Sequence, residues 1–163
     1  MSRNPEIKAY VDILLESLQK KNAVMREITA LNARQGELLK KEPFDFDGFD
    51  KTMEEKEKLA EKLNDLDDGF ESIYGRIREE ILSHKDEYQN QILAIQKQIR
   101  EITDQNAAIQ AQEARIRREV KKHSDQKSAE LRQQRDSSKA VKNYYQVMNK
   151  LGALDAQFMD RKN

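Results

Sequence analysis

The chain has 163 residues, 37% of them charged and 6% aromatic, with five glycines, two prolines and no cysteine. Such a length fits one domain or one elongated bundle, and a composition rich in Glu, Lys, Gln, Arg, Ala, Leu and Ile is the profile of long helices or coiled coil. Thirty basic and thirty acidic residues cancel, which excludes an overall field drawing the protein to nucleic acid or membrane, and a chain without cysteine has no disulfide framework and no thiolate chemistry.

The N-terminal stretch MSRNPEIKAYVDILLESLQ has only a short apolar run, interrupted by Asp12 and Glu16. It reads neither as a signal peptide nor as a membrane span, so the expectation is a cytoplasmic protein without membrane insertion. From Ile7 the apolar positions run Val11, Leu14, Leu18, Met25 and Ile28, with Val24, Leu31 and Leu38 on a neighbouring row. That periodicity predicts a helix with one buried stripe over about residues 5–42. Pro5 suits its first turn, and Pro43 ends it by pushing the preceding residue out of the helical region.

The next stretch, EPFDFDGFDKTMEEKEK, raises the question of a calcium loop. With Gly48 at the sixth position of an EF-hand loop, Asp45, Asp47 and Glu54 fall at positions three, five and twelve. Position one, however, is Pro43, which offers no side-chain oxygen, and no second loop matches. A plain corner accounts for more of the residues. Asp45 is a good helix N-cap, Phe44 before it can pack on Phe49 as a hydrophobic staple, and Asp47 and Asp50 lie where the helix dipole favours acids.

A second stripe, Phe49, Met53, Leu59, Leu63, Leu66, Phe70, Ile73 and Ile77, predicts a helix over 45–83, softened by Gly69 and Gly75. The third stripe is the most regular: Ile81, Tyr88, Ile95, Ile102, Ile109 and Ile116 recur every seven residues, joined by Ile92, Ile99 and Val120. Asn106 and Glu113 interrupt that second row as polar seam positions that fix register. The rows slip by one position between Ile77 and Ile81, and Ser83 followed by Asp86 forms an imperfect capping box. The alternatives are one helix running through and a break at 83–86. The break, which we favour because an unbroken helix leaves many isoleucines without a partner, gives a third helix over 86–122, and an all-α, elongated antiparallel bundle of three long helices, residues 1–122, with coiled-coil-like packing. The two histidines, His84 and His123, lie far apart with no cysteine to complete a metal set or a nucleophile pair. The basic run RIRREVKK is diluted by Glu119 and lacks an aromatic stacking platform. No catalytic residue, metal, cofactor or nucleic acid is expected.

Residues 123–139 are almost devoid of apolar side chains and form a polar connecting segment, either a solvated helix or a flexible link. Apolar residues then return densely in 140–163, as Val141, Tyr144, Tyr145, Met148, Leu151, Leu154, Phe158 and Met159. Val141, Tyr144, Tyr145, Met148 and Leu151 share one helical face, and Gly152 can end that helix in a left-handed cap. Two outcomes stay open: a fourth helix folded back on the bundle, or an amphipathic docking helix for a partner, for which Tyr and Met are adaptable interface residues.

An N-terminal helix, a proline corner and an Asp-capped helix with the text EEKEKLAEKL resembles the flagellar export chaperones of the FlgN type. The matching residues are Asp45, Phe46, Phe49, Glu55, Lys56, Glu57, Leu59, Leu63 and Leu66, and the later ITDQNAAIQAQEARIR, YYQVMNKL and DAQFMDRK look like low-GC Gram-positive versions of that family. Gly69 and Gly75 depart from its usual pattern. The resemblance implies a cytoplasmic, all-helical chaperone that keeps hook–filament junction proteins unassembled and delivers them to the flagellar type III export apparatus. It also implies client binding by the C-terminal amphipathic region, here Val141 to Met159. The alternative is a structural coiled-coil or tether protein acting by self-association as a homo-oligomer.

Overall fold

A computed structural model of the chain describes the backbone of residues 5–136 and the side chains of residues 5–123. Its elements are α1 (Pro5–Leu38), α2 (Phe46–Ser83) and α3 (Gln89–Asp136), with no strand among the described residues. Short connections make sequential helices antiparallel, and the cross-links show the direction. Ser17 Oγ donates to the Leu66 carbonyl and Gln35 Nε2 to Thr52 Oγ1, so α1 and α2 run oppositely. Asn22 meets Gln98 while Asn32 meets Gln112, so α1 and α3 run in parallel.

The corner forms as its residues dictate. Asp45 caps α2 by accepting the Gly48 N–H at 2.9 Å, and Phe44 reaches Phe49 at a ring-centroid distance of 5.7 Å. That is a hydrophobic staple, in which the residue before the cap packs on the fourth residue of the helix. At Gly48 a Cβ would lie 2.4 Å from Asp45 Oδ2, so a side chain there would displace the capping carboxylate. By contrast α2 runs unbroken through Gly69 and Gly75, where an added Cβ meets nothing within 4 Å.

Three boundaries differ from the sequence expectation. First, α1 ends at Leu38 rather than near residue 42; Lys40 and Lys41 donate to the carbonyls of Glu37 and Leu38 in tightened i to i+3 turns. The Leu39 carbonyl is instead held across the corner by His123 Nε2 at 2.9 Å. Second, α2 ends at Ser83 as expected, but α3 begins at Gln89 rather than 86, so the Ser83–Asp86 pattern does not open it. The link turns through residues 84–88, where Tyr88 is buried and its carbonyl accepts the Ile92 N–H. Third, α3 does not stop at residue 122: its backbone continues through the polar stretch to Asp136. That stretch contains no glycine or proline and is rich in Lys, Gln, Glu, Ala, Leu and Arg, which are good helix formers. The segment 140–163 lies outside the described residues.

The core comprises two apolar clusters. The larger joins Val11, Leu14, Leu18, Met25 and Ile28 of α1 to Leu63, Phe70, Tyr74, Ile77 and Ile81 of α2 and Ile95, Ile99, Ile102 and Ile109 of α3. The smaller lies at the corner, where Leu38, Leu39, Phe49, Ile116 and Val120 pack with Phe44, Phe46 and Met53. Between them each helix presents polar side chains to the interior.

Candidate functional site

Val141, Tyr144, Tyr145, Met148, Leu151, Leu154, Phe158 and Met159, the residues singled out for partner binding, lie outside the described residues. Two features of the bundle itself are candidates for a role beyond apolar packing: its buried polar seam, and a groove between α1 and α2.

The seam arises because the heptad rows facing the interior carry charges. In α2 the rows 49-56-63-70-77 and 53-60-67-74-81 contain Lys56 and Asp67, and in α1 the row 14-21-28-35 contains Lys21 and Gln35. All four are buried. Lys21 Nζ donates to both Asp67 oxygens, at 2.6 and 2.8 Å. Lys56 Nζ donates to Gln35 Oε1 at 3.1 Å and forms an ion pair with Glu113 of α3. Gln35 Nε2 passes the chain on to Thr52 Oγ1, which donates to the Phe49 carbonyl. The layer of Gln35, Thr52, Lys56 and Glu113 thus ties all three helices together between the two apolar clusters, while the Lys21–Asp67 pair lies within the larger one.

A second set of contacts joins α1 to α3. Gln98, Gln105 and Gln112 recur every seven residues on α3. The first two bracket Asn22, with Asn22 Nδ2 donating to Gln98 Oε1 and Gln105 Nε2 donating to Asn22 Oδ1, each at 2.6 Å. The third accepts from Asn32 Nδ2 at 3.1 Å. Since a one-turn slip would strand the buried Asn22 and Asn32, the ladder sets the register between the parallel helices.

Burial governs the electrostatics. It pushes the Lys21 amine below its ordinary range, opposed by the attraction and hydrogen bond of Asp67. It likewise pushes the Asp67 carboxyl up, opposed by Lys21 and reinforced by Glu71 and Asp68. Lys56 is lowered by burial against the pull of Glu113. A lysine lowered in this way is the raw material of Schiff-base chemistry, but a substrate carbonyl must reach it. The Lys21 and Lys56 side chains are 1% and 3% exposed, and each is bonded to a carboxylate. Their chemistry is therefore that of packing specificity.

Among the described residues no group of three or more His, Asp or Glu side chains is placed to hold a metal ion. At the corner, Asp45 is taken up by its capping bond. The groove between α1 and α2 has an apolar floor. It has a volume of about 490 Å³, with Ala30, Leu31 and Leu59 between Glu27 and Arg34 of α1 and Glu55 and Lys58 of α2. No described helix is long and apolar enough to cross a membrane.

The chain matches none of the family models, curated proteins or solved structures with which it was compared.

The polar seam escaped the sequence reading in part. Glu113 stands out as an interruption of the isoleucine rows, whereas Lys56 and Asp67 are masked by Leu59 and Leu66, which extend the apparent apolar stripe beside them. Those two leucines are only half-buried. The signal was available in the strict seven-residue rows, in which Lys56 falls between Phe49 and Leu63.

Proposed function

We propose that this protein is a cytoplasmic flagellar export chaperone of the FlgN type, working by binding rather than by catalysis. Its clients are hook–filament junction proteins, which it keeps unassembled and delivers to the flagellar type III export apparatus. The client-binding element is the amphipathic segment 140–163, with Tyr144, Tyr145, Met148 and Leu151 as anchors.

One observation favours a binding module over a tether acting by self-association. A tether needs an unfilled apolar seam for its partner copy, but the most regular seam of this chain is filled from within. Ile95, Ile99, Ile102 and Ile109 are at most 2% exposed against α1 and α2. Among the described residues the exposed large hydrophobics are Ile13 and Leu93, and scattered single side chains of this kind make no interface. Apolar residues that serve a partner are thus to be sought beyond α3, where Val141 to Met159 concentrate them.

The test is a calorimetric titration of the full chain with the C-terminal segment of a hook–filament junction protein. We expect one-to-one binding, weakened by more than ~1 kcal/mol in Tyr145→Ala and in Leu151→Ala, the behaviour of interface anchors. No binding by the unsubstituted chain, or full binding by both variants, would refute the assignment.

A further inference from the structure

We propose that the end of this same chain, Leu151 to Met159, occupies the groove between α1 and α2, packing Leu154 and Phe158 on Leu31 and Leu59. The docking stands whether or not the segment also binds an export client.

The groove is suited to an amphipathic segment. Its floor is the half-buried pair Leu31 and Leu59 with Ala30, and each rim offers one acid and one base, Glu27 and Arg34 on α1 and Glu55 and Lys58 on α2. Helix-in-groove recognition takes this form, with a few apolar anchors below and charges along the edges. The chain end supplies the complement, since Leu151, Leu154 and Phe158 enclose Asp155 and are flanked by Lys150, Asp160 and Arg161.

Reach identifies the occupant. α3 runs parallel to α1 and arrives at the corner at His123, which bonds Leu39 and lies 4.8 Å from the Phe44 ring. Residues 124–136 carry the helix about 20 Å further. The groove lies about 20 Å back from the corner, since Leu59 is some four turns into α2. A returning chain must therefore span about 40 Å, and residues 137–159 cover about 35 Å even as a continuous helix. Any extended portion, at up to about 3.5 Å per residue, adds the lateral crossing over the corner. With part of the stretch extended, Leu151 to Met159 are within reach of the level of Leu31 and Leu59. A tethered segment meets its groove at an effective concentration in the millimolar range, far above that of a second copy in dilute solution.

The absence of cysteine from the chain allows a clean test. Gln157→Cys in the full chain is paired in turn with Ala30→Cys, with Lys58→Cys, and with Ala111→Cys. The last is a control at a similar height on the outward side of α3. All three bundle positions are exposed, so folding is not at risk. Under mild oxidation we expect both groove pairs to close a disulfide within one chain at least about tenfold faster than the control, at a rate independent of protein concentration. Equal rates for groove and control pairs would overturn the proposal, as would disulfides formed mainly between chains, the signature of a second copy in the groove.

Discussion

The Lys21–Asp67 pair provides the sharpest test of the architecture. The two side chains are 1% and 6% exposed, and the ammonium donates to both carboxylate oxygens at 2.6 and 2.8 Å. Replacing Asp67 by Leu strands a buried ammonium, and replacing Lys21 by Met strands a buried carboxylate that already faces Glu71 and Asp68. Removing one partner of such a pair costs about 3–5 kcal/mol. The double variant Lys21→Met, Asp67→Leu leaves no uncompensated charge and should lie within about 1 kcal/mol of the parent or exceed its stability by up to about 4 kcal/mol.

The single variants should also respond to pH in opposite directions. In Asp67→Leu the Lys21 amine loses the main partner that held its pKa up, and the burial that lowers it dominates. Between that lowered pKa and the unfolded value of 10.5 the unfolded chain binds more protons than the folded one, so the variant gains stability as pH rises through this window. In Lys21→Met the Asp67 carboxyl is raised above 3.8, and the folded chain binds more protons between 3.8 and the raised value. That variant therefore gains stability as pH falls. Urea titrations followed by circular dichroism, with a constant m-value as the check on two-state unfolding, measure all four corners of the cycle. Single losses under about 1 kcal/mol, or a double variant as unstable as the sum of the singles, would refute the description of a buried, coupled pair.

Other substitutions probe the remaining elements. At the corner, Asp45→Ala should cost about 1 kcal/mol as a lost N-cap, and Gly48→Ala should also destabilise because its Cβ would meet the capping carboxylate; denaturant midpoints compare them. In α2, Gly69→Ala and Gly75→Ala should each add about 0.5–1 kcal/mol, since both sites are helical with open space around them; an unchanged melting temperature in both would contradict a continuous helix there. Ile102→Ala, at a fully buried position, should cost about 2–5 kcal/mol, and a melt barely shifted would place Ile102 at the surface. Among the described residues the buried Gln96 carboxamide has no hydrogen-bond partner at either of its polar atoms. Gln96→Leu should therefore stabilise by about 1–3 kcal/mol, and a loss in the same melts would reveal a partner for it.

Local chemistry was legible in the sequence, and long-range pairing was not. The Asp45 cap and the Phe44–Phe49 staple depend on residues three to five apart, and they stand where expected. The isoleucine rows of α3 identify their own buried face by spacing alone, and the link between α2 and α3 falls close to the slip in the rows. The end of α1 could not be read, because the Leu39 carbonyl is held by His123, 84 residues away. Ser83 matched a capping pattern, yet the burial of Tyr88 moves the start of α3 beyond it. A lysine within a helix reads as solvated unless its carboxylate partner on another helix is known, which is why Lys21 and Lys56 were hidden while the leucines around them were not. The predicted anchors Val141 to Met159 lie outside the described residues.

The layer of Gln35, Thr52, Lys56 and Glu113 divides the interior into unequal parts, and that has a dynamic consequence. The corner cluster rests on five buried apolar residues and the larger cluster on eighteen. A small apolar unit bounded by hydrogen bonds rather than by continuous packing can open as a unit of its own, at a free energy below that of global unfolding. In hydrogen exchange, amides near Leu38, Phe49 and Val120 should exchange together and faster than those near Leu18, Phe70 and Ile99. The bundle would then unzip from its corner while its far end stays closed.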